Sequence, residues 1–159
     1  MIEVFYLDKG IKKAGIEYFH KGKQAPFWID ITNITKEESD TIGKEFNLHP
    51  LTAEDLSNSH VRVKVEEFNE YLFCVFYSIR KAKAIELVEL DFVIGKDFVI
   101  SNHKKPVPSF EELKKDPEKL KSLFSKGPDF LFHKLLDMEV DNYFPLLETI
   151  DDNIEKLEE

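Results

Sequence analysis

Short runs rich in aromatic and β-branched residues alternate with turns through the first third of the chain. "IEVFYL" and "GIEYFH", separated by Gly10 to Gly15, and "PFWIDIT" after Pro26 each read as a strand. Further on, Tyr71 to Ile79 is apolar on both strand faces except at Ser78, which predicts a central strand covered on both sides. In "AIELVELDFVIGKDFVIS", Gly95-Lys96-Asp97 separates two apolar runs, a hairpin signal.

Helix signals fall between and after these runs. Thr35 with Glu38 three residues on predicts a capping box and a helix through about Phe46. His49-Pro50 reads as the entry to a short helix ending near Ser57, which presents Glu54 and Asp55 side by side. Ser109 with Glu112 predicts a second capping box. Asp116-Pro117 reads as another helix start and Gly127-Pro128 as a break.

From Asp129 onward one long helical pattern runs to the end. Leu136, Val140, Tyr143, Leu147, Ile150, Ile154 and Leu157 step alternately by four and three, which is a heptad seam. Pro145 is expected to kink or locally break it, because proline removes a hydrogen bond and crowds the preceding turn. The closing "EKLEE" has no glycine, asparagine or proline stop signal, so the seam is expected to continue in a longer parent or to pack on a partner helix. The pattern thus predicts an α/β (α+β-like) fold, a mixed β-sheet flanked by helices. Residues 1–127 form the sheet domain and 128–159 begin a long acidic amphipathic helix, the two making one structural unit.

Composition narrows the function. With 159 residues, 42% hydrophobic and 33% charged, the chain can bury a real core and is not disordered. No apolar run reaches the roughly 20 residues that cross a bilayer. The start "MIEVFYLDKG" lacks a secretion signal, and the single cysteine, Cys74, excludes an internal disulfide. The expected location is therefore cytosolic. The net charge of −9 argues against nucleic acid as a partner. Ten acids against Lys134 and Lys156 lie in residues 128–159, so nearly all of that charge sits on the last segment. Such asymmetry suits a face that meets cations or a basic partner; a solvated helix face is the plainer alternative.

Candidate chemistry is sparse. His49 and His60 are eleven residues apart with no cysteine partner and no His-Glu-x-x-His helix, so a zinc site is not expected. His49 reads as a turn residue before Pro50 and His60 as a hydrogen bonder at a strand entry. Cys74 lies within an apolar strand, where a thiol behaves as a small hydrophobe. There is no nucleophile elbow, P-loop or dinucleotide fingerprint, and no enzyme is expected. The carboxylates Glu54, Asp55 and Asp137 could converge on a hard divalent cation, which prefers oxygen ligands. Solvated charge is the competing explanation, and Asp55 could instead reach back to Thr52.

Three stretches carry a family resemblance. "FNLHPLTAEDLSNSHVRVKVEEFNEYLF" resembles the N-terminal cytosolic domain of the CorA magnesium/cobalt transport proteins, where a His-Pro-Leu-x-x-Glu-Asp phrase precedes an Asn-x-His-x-Arg-Pro-Lys-Val-Glu phrase. "VIGKDFVIS" is similar to the strand–turn–strand that follows, and "GPDFLFHKLLDMEVDNYFPLLETIDDNIEKLEE" to the start of the family's first long helix. Val63 stands where the family usually has proline. The resemblance implies a fragment lacking the stalk, two transmembrane segments and the Gly-Met-Asn signature. The parent would be a homopentamer whose domain lies on the cytoplasmic side of the cell membrane. Glu54, Asp55 and Asp137 would then contribute to a regulatory Mg2+ site between subunits, with Co2+ or Ca2+ as substitutes. A purely structural oligomerisation domain and a carboxylate metal-dependent hydrolase are the alternatives.

Overall fold

The computed structural model describes residues 1–21, 26–59, 62–81 and 85–158. Seven strands form one sheet: β1 (Ile2–Leu7), β2 (Ile11–Ala14), β3 (Phe27–Thr32), β4 (Lys64–Glu67), β5 (Tyr71–Lys81), β6 (Ile85–Gly95) and β7 (Phe98–His103). Their order is β2-β1-β3-β7-β6-β5-β4, and only β3 and β7 run parallel. Among the described residues there are six α-helices: α1 (Lys36–Glu45), α2 (Pro50–Ser57), α3 (Pro108–Lys114), α4 (Pro117–Lys126), α5 (Pro128–Val140) and α6 (Phe144–Glu158).

Strand alternation sorts the core into two layers. On one face Ile29, Ile31, Phe73, Val75, Val93 and Ile100 meet Ile42 and Phe46 of α1 and Leu56 of α2. On the other, Trp28, Cys74, Leu90, Phe92 and Val99 meet Phe110 of α3, Leu120 and Phe124 of α4, and Leu131 and Leu135 of α5. Covered on both sides, β3, the second half of β6 and β7 are buried almost throughout. The mixed sheet between two helical layers is the expected α/β class.

Close packing of α1 on α2 depends on one small residue. A Cβ at Gly43 would lie 2.9 Å from the Ala53 Cβ, and the Ser39 hydroxyl donates to the Ala53 carbonyl beside it. Gly43→Val is therefore expected to push the helices apart and lower stability by about 1–3 kcal/mol, the usual range for overpacking. A urea midpoint equal to that of the native chain would refute the tight contact.

Four local expectations need correction. "GIEYFH" is not a strand: β2 is the preceding Ile11–Ala14, and Ile16–Lys21 forms a 3-10 turn. There the Gly15 N–H donates to the Glu17 carboxylate (2.9 Å) and the Tyr18 N–H to the Gly15 carbonyl (3.1 Å), so groups a ladder would need are used locally. Ser109 does not cap α3, because Pro108 already occupies the first helical position and Val107 is the cap. The Ser109 hydroxyl donates to Glu139 instead. β5 is paired on both sides but lies one strand from the edge, and four-residue β4 leaves Leu72 exposed. Finally, the long C-terminal pattern does break near Pro145 as expected, but the break is a 3-10 turn at Asp141–Tyr143, just before the proline. Pro145 thereby falls in the first turn of α6, where a missing N–H leaves no broken helical bond.

The α5–α6 junction is pinned to β5. Buried Glu139 accepts hydrogen bonds from the Ser78 and Ser109 hydroxyls, and the Tyr143 hydroxyl donates to the Tyr77 carbonyl. The stripe that α5 buries is Leu131, Leu135 and Glu139, not the heptad seam. Val140, Leu147, Ile150, Ile154 and Leu157 of the seam remain exposed in this chain.

Candidate metal centre

The two acids singled out on α2 are held by an unusually well-anchored short helix. The Leu51 N–H donates to His49 Nδ1 (3.2 Å), so His49 caps the helix. The His49 N–H donates to the Tyr71 hydroxyl (2.9 Å), which also shares a hydrogen bond with Thr52 Oγ1 (2.8 Å). The His49 ring stacks on Phe68. His49 is thus fully engaged as a cap, and His60 lies outside the described residues. Ala53 and Leu56 point into the core, which turns Glu54 outward to solvent and leaves Asp55 half-buried.

The α2 helix starts at the His49 cap, and the Thr52 hydroxyl is shared with Tyr71. Lys64 Nζ of β4 lies 2.6 Å from Asp55 Oδ2 and 3.2 Å from Glu66 Oε2, over the ring of Phe73. Burial pulls the Lys64 ammonium down, but the bonds to Asp55 and Glu66 outweigh it and raise it overall. Asp137 is exposed on α5, with Lys134 Nζ at 3.1 Å. Among the described residues the three acids do not converge within one chain.

The cluster that does converge was not foreseen. Glu3 of β1, Asp30 of β3 and Glu111 of α3 bring carboxylate oxygens within 4.8 Å of one another. Its centre is taken by Lys114 Nζ, at 2.6 Å from each of the three carboxylates. His103 Nε2 lies 3.0 Å from Asp30 Oδ1, which also accepts from the Ser101 hydroxyl. Burial alone would raise Asp30, but the His103 hydrogen bond and the Lys114 charge outweigh it and hold its carboxyl below the usual range. A lysine ammonium is the cation here, so this cluster is structural. Its one sequence signal is an acid in the middle of the apolar run "FWIDIT".

Cys74 is buried, as its strand position implied, and burial followed by the nearby Asp91 charge pushes its thiol up. Among the described residues no helix is long and apolar enough to cross a membrane.

With the geometry in place, comparison with known proteins decides the family. Residues 23–159 match the family described as CorA-like Mg2+ transporter protein. The chain belongs to the CorA family. It is 33% identical over 144 residues to the cobalt/magnesium transport protein CorA of Thermotoga maritima, covering 87% of this chain and 41% of that relative. The full-length CmaX protein superposes with a TM-score of 0.78 at 16% identity, over 99% of this chain and 50% of that one. The soluble domain of CorA from Methanocaldococcus jannaschii gives 0.72 at 17% identity, over 99% and 63%. The chain thus spans less than half the length of the Thermotoga maritima CorA relative. These likenesses establish the CorA soluble-domain fold.

Proposed function

We propose that this chain is the cytosolic regulatory domain of a CorA-type Mg2+ transporter, and that it binds Mg2+ through Glu54, Asp55 and Asp137 at boundaries between copies. The observation that carries this reading is the placement of the three acids. They stand on α2 and α5 at exposed or half-exposed positions and find no common centre inside the chain. Oxygen donors of this kind suit a hard divalent cation, and one chain supplies only part of the ligand set. Lys134 against Asp137 is a surface partner of the kind worth about 0–1 kcal/mol, so a dication can displace it cheaply, whereas Lys64 against half-buried Asp55 must be displaced by a cation that replaces its charge.

Sensing follows from charge. Two carboxylates ~4 Å apart near a surface repel by about 4 kcal/mol at an effective dielectric of 20, and a bridging dication reverses that term. Copies joined by Mg2+ would favour one packed arrangement, a closed homopentamer, and would loosen when the cation leaves. Such a domain would sit on the cytoplasmic side of the membrane and carry out no catalysis. A hydrolase built on these acids gains no support, since they form no shared pocket.

The exposed seam of α6 favours a second reading, a purely structural assembly domain. The two separate in the intact transporter that carries this chain. Under the sensor reading, Mg2+ protects the native protein from protease, and the Glu54→Ala/Asp55→Ala/Asp137→Ala variant needs about tenfold more Mg2+ or worse, a loss of ~1.4 kcal/mol or above. Protection unchanged in that variant would leave only the structural reading.

A further inference from the structure

Beneath α2, on the face opposite the Lys114 network, two buried oxygens lack a donor among the described residues. Asp91 of β6 and Asn102 of β7 pair directly across the strands and are 2% and 5% exposed. Asn102 Nδ2 donates to Asp91 Oδ2 (2.9 Å) and to the Leu56 carbonyl of α2 (2.8 Å), so this amide ties the sheet to the end of the helix. Among the described residues, Asp91 Oδ1 and Asn102 Oδ1 have no hydrogen-bond partner.

The charges facing Asp91 make an ionised carboxylate there worse. Glu89 on β6 and Asp55 on α2 both act against it, and Lys104 after β7 offsets them only in part. The remaining polar neighbours are committed elsewhere: the Tyr77 hydroxyl of β5 donates to Glu89, Lys104 to Ser59, and Lys64 of β4 to Asp55 and Glu66. Cys74 of β5 belongs to the opposite face of the sheet.

Water, a cation or a proton could satisfy the two oxygens. A water needs room and several polar partners. The adjoining cavity of about 260 Å³ is lined by Tyr77, Glu89 and Lys104 among others, and neither Asp91 nor Asn102 reaches it. A hard cation seeks about six or more oxygens, and this pair offers two. A proton needs no space.

We propose that Asp91 carries a proton in the folded protein, donated from Oδ1 to Asn102 Oδ1, and that the resulting acid–amide pair is a pH-sensitive latch holding α2 to the sheet. One proton then satisfies both oxygens, while the Asn102 N–H keeps the other carboxylate oxygen. Burial, with Glu89 and Asp55, pushes the Asp91 carboxyl up to about 8. A raised folded-state value means that the folded chain holds a proton the unfolded chain gives up. The latch therefore contributes fully below the ordinary carboxylate value of 3.8, and its contribution is lost progressively as pH rises to about 8. The latch needs no metal on α2, because burial is the first cause of the Asp91 shift. A dication on Asp55 would remove one of the charges that favour the proton, which is why the test is run metal-free.

The test is a carboxyl-carbon NMR titration of the chain in metal-free buffer, with amide-exchange protection of α2 followed over the same range. The Asp91 carbon is expected to titrate near pH 8, and α2 protection to fall about tenfold through that range. In Asp91→Asn the side-chain amide donates in place of the acid proton, so α2 protection should stay flat with pH. An Asp91 carbon titrating in the ordinary carboxylate range overturns the proposal, and so does an undiminished protection loss in Asp91→Asn. Should that variant fail to fold, the titration of the native chain decides alone.

Discussion

Lys114→Met is expected to cost the folded chain about 3–5 kcal/mol at neutral pH, the range for removing one partner of a buried ion pair. The Lys114 side chain is 6% exposed and lies 2.6 Å from carboxylate oxygens of Glu3, Asp30 and Glu111. Methionine has a similar length and apolar stem, so the loss reports the missing charge, including its cation–π approach to Phe5 and Trp28, rather than packing. Asp30 would remain buried with only His103 and Ser101 as polar neighbours. The pH dependence supplies a signature. Asp30 is held below its ordinary value of 3.8, so it stabilises the native fold above that pH and ceases to do so as pH falls through the lower folded value. In the variant the proton returns to Asp30 more readily, and the gap between variant and native should narrow on acidification. Urea unfolding followed by Trp28 fluorescence measures both. Replacing the pair together, Asp30→Asn with Lys114→Met, should cost less than Lys114→Met alone. A single-variant loss under ~1 kcal/mol would mean the network is not a buried ion cluster in solution.

Phe92→Ala carries a comparable expected loss, about 3–5 kcal/mol, from deleting a large side chain in a closed core. Phe92 is fully buried on β6. Its ring meets Phe132 of α5 edge-on (5.2 Å, 70°) and Phe110 of α3 at 6.3 Å. It is thus a main contact that seats α5, and with it Asp137, against the sheet. Phe92→Leu keeps most of the volume and should cost less than about 1.5 kcal/mol. Amide-exchange protection should fall first along α5 in Phe92→Ala, because that helix loses its aromatic anchor while the sheet keeps its ladders. Equal losses in both variants would assign the effect to ring geometry rather than to the void.

The parts of this fold that were legible share a property: their signal lies within a few neighbouring residues. Thr35 and Glu38 form the reciprocal capping box that their spacing announced. Pro50 and Pro117 open helices, Gly127 separates α4 from α5, and Gly95-Lys96-Asp97 turns β6 into β7. In each case the backbone preference or hydrogen bond that decides the structure is local. "GIEYFH" misled because its aromatic content is that of a strand, while Glu17 folds back on the Gly15 amide and Tyr18 fills a gap against Tyr6 and Phe27. Ser109 misled because Pro108 starts the helix and its hydroxyl finds a buried carboxylate on α5.

Two polar centres were hidden for another reason. Asp30 and Asp91 each interrupt an apolar strand run, which marks them as buried acids but does not name their partners. Asp30 meets a lysine 84 positions along the chain on the α3–α5 side, whereas Asp91 meets Asn102 on the α2 side. Strand alternation determines which face each acid takes, and only the folded sheet decides what waits there.

By itself the sequence determined most of the element types, the side-by-side placement of Glu54 and Asp55 on a short helix, and the family likeness of its phrases. These follow from periodicity and short-range hydrogen bonding, which act over a turn or a strand. Tertiary structure alone decided that β3 and β7 pair in parallel, that Lys114 fills the one carboxylate cluster found among the described residues, and that Glu139 is buried among hydroxyls while Asp137, two residues away, faces solvent. Those outcomes depend on contacts between distant segments, whose desolvation and charge exist only once the layers have closed.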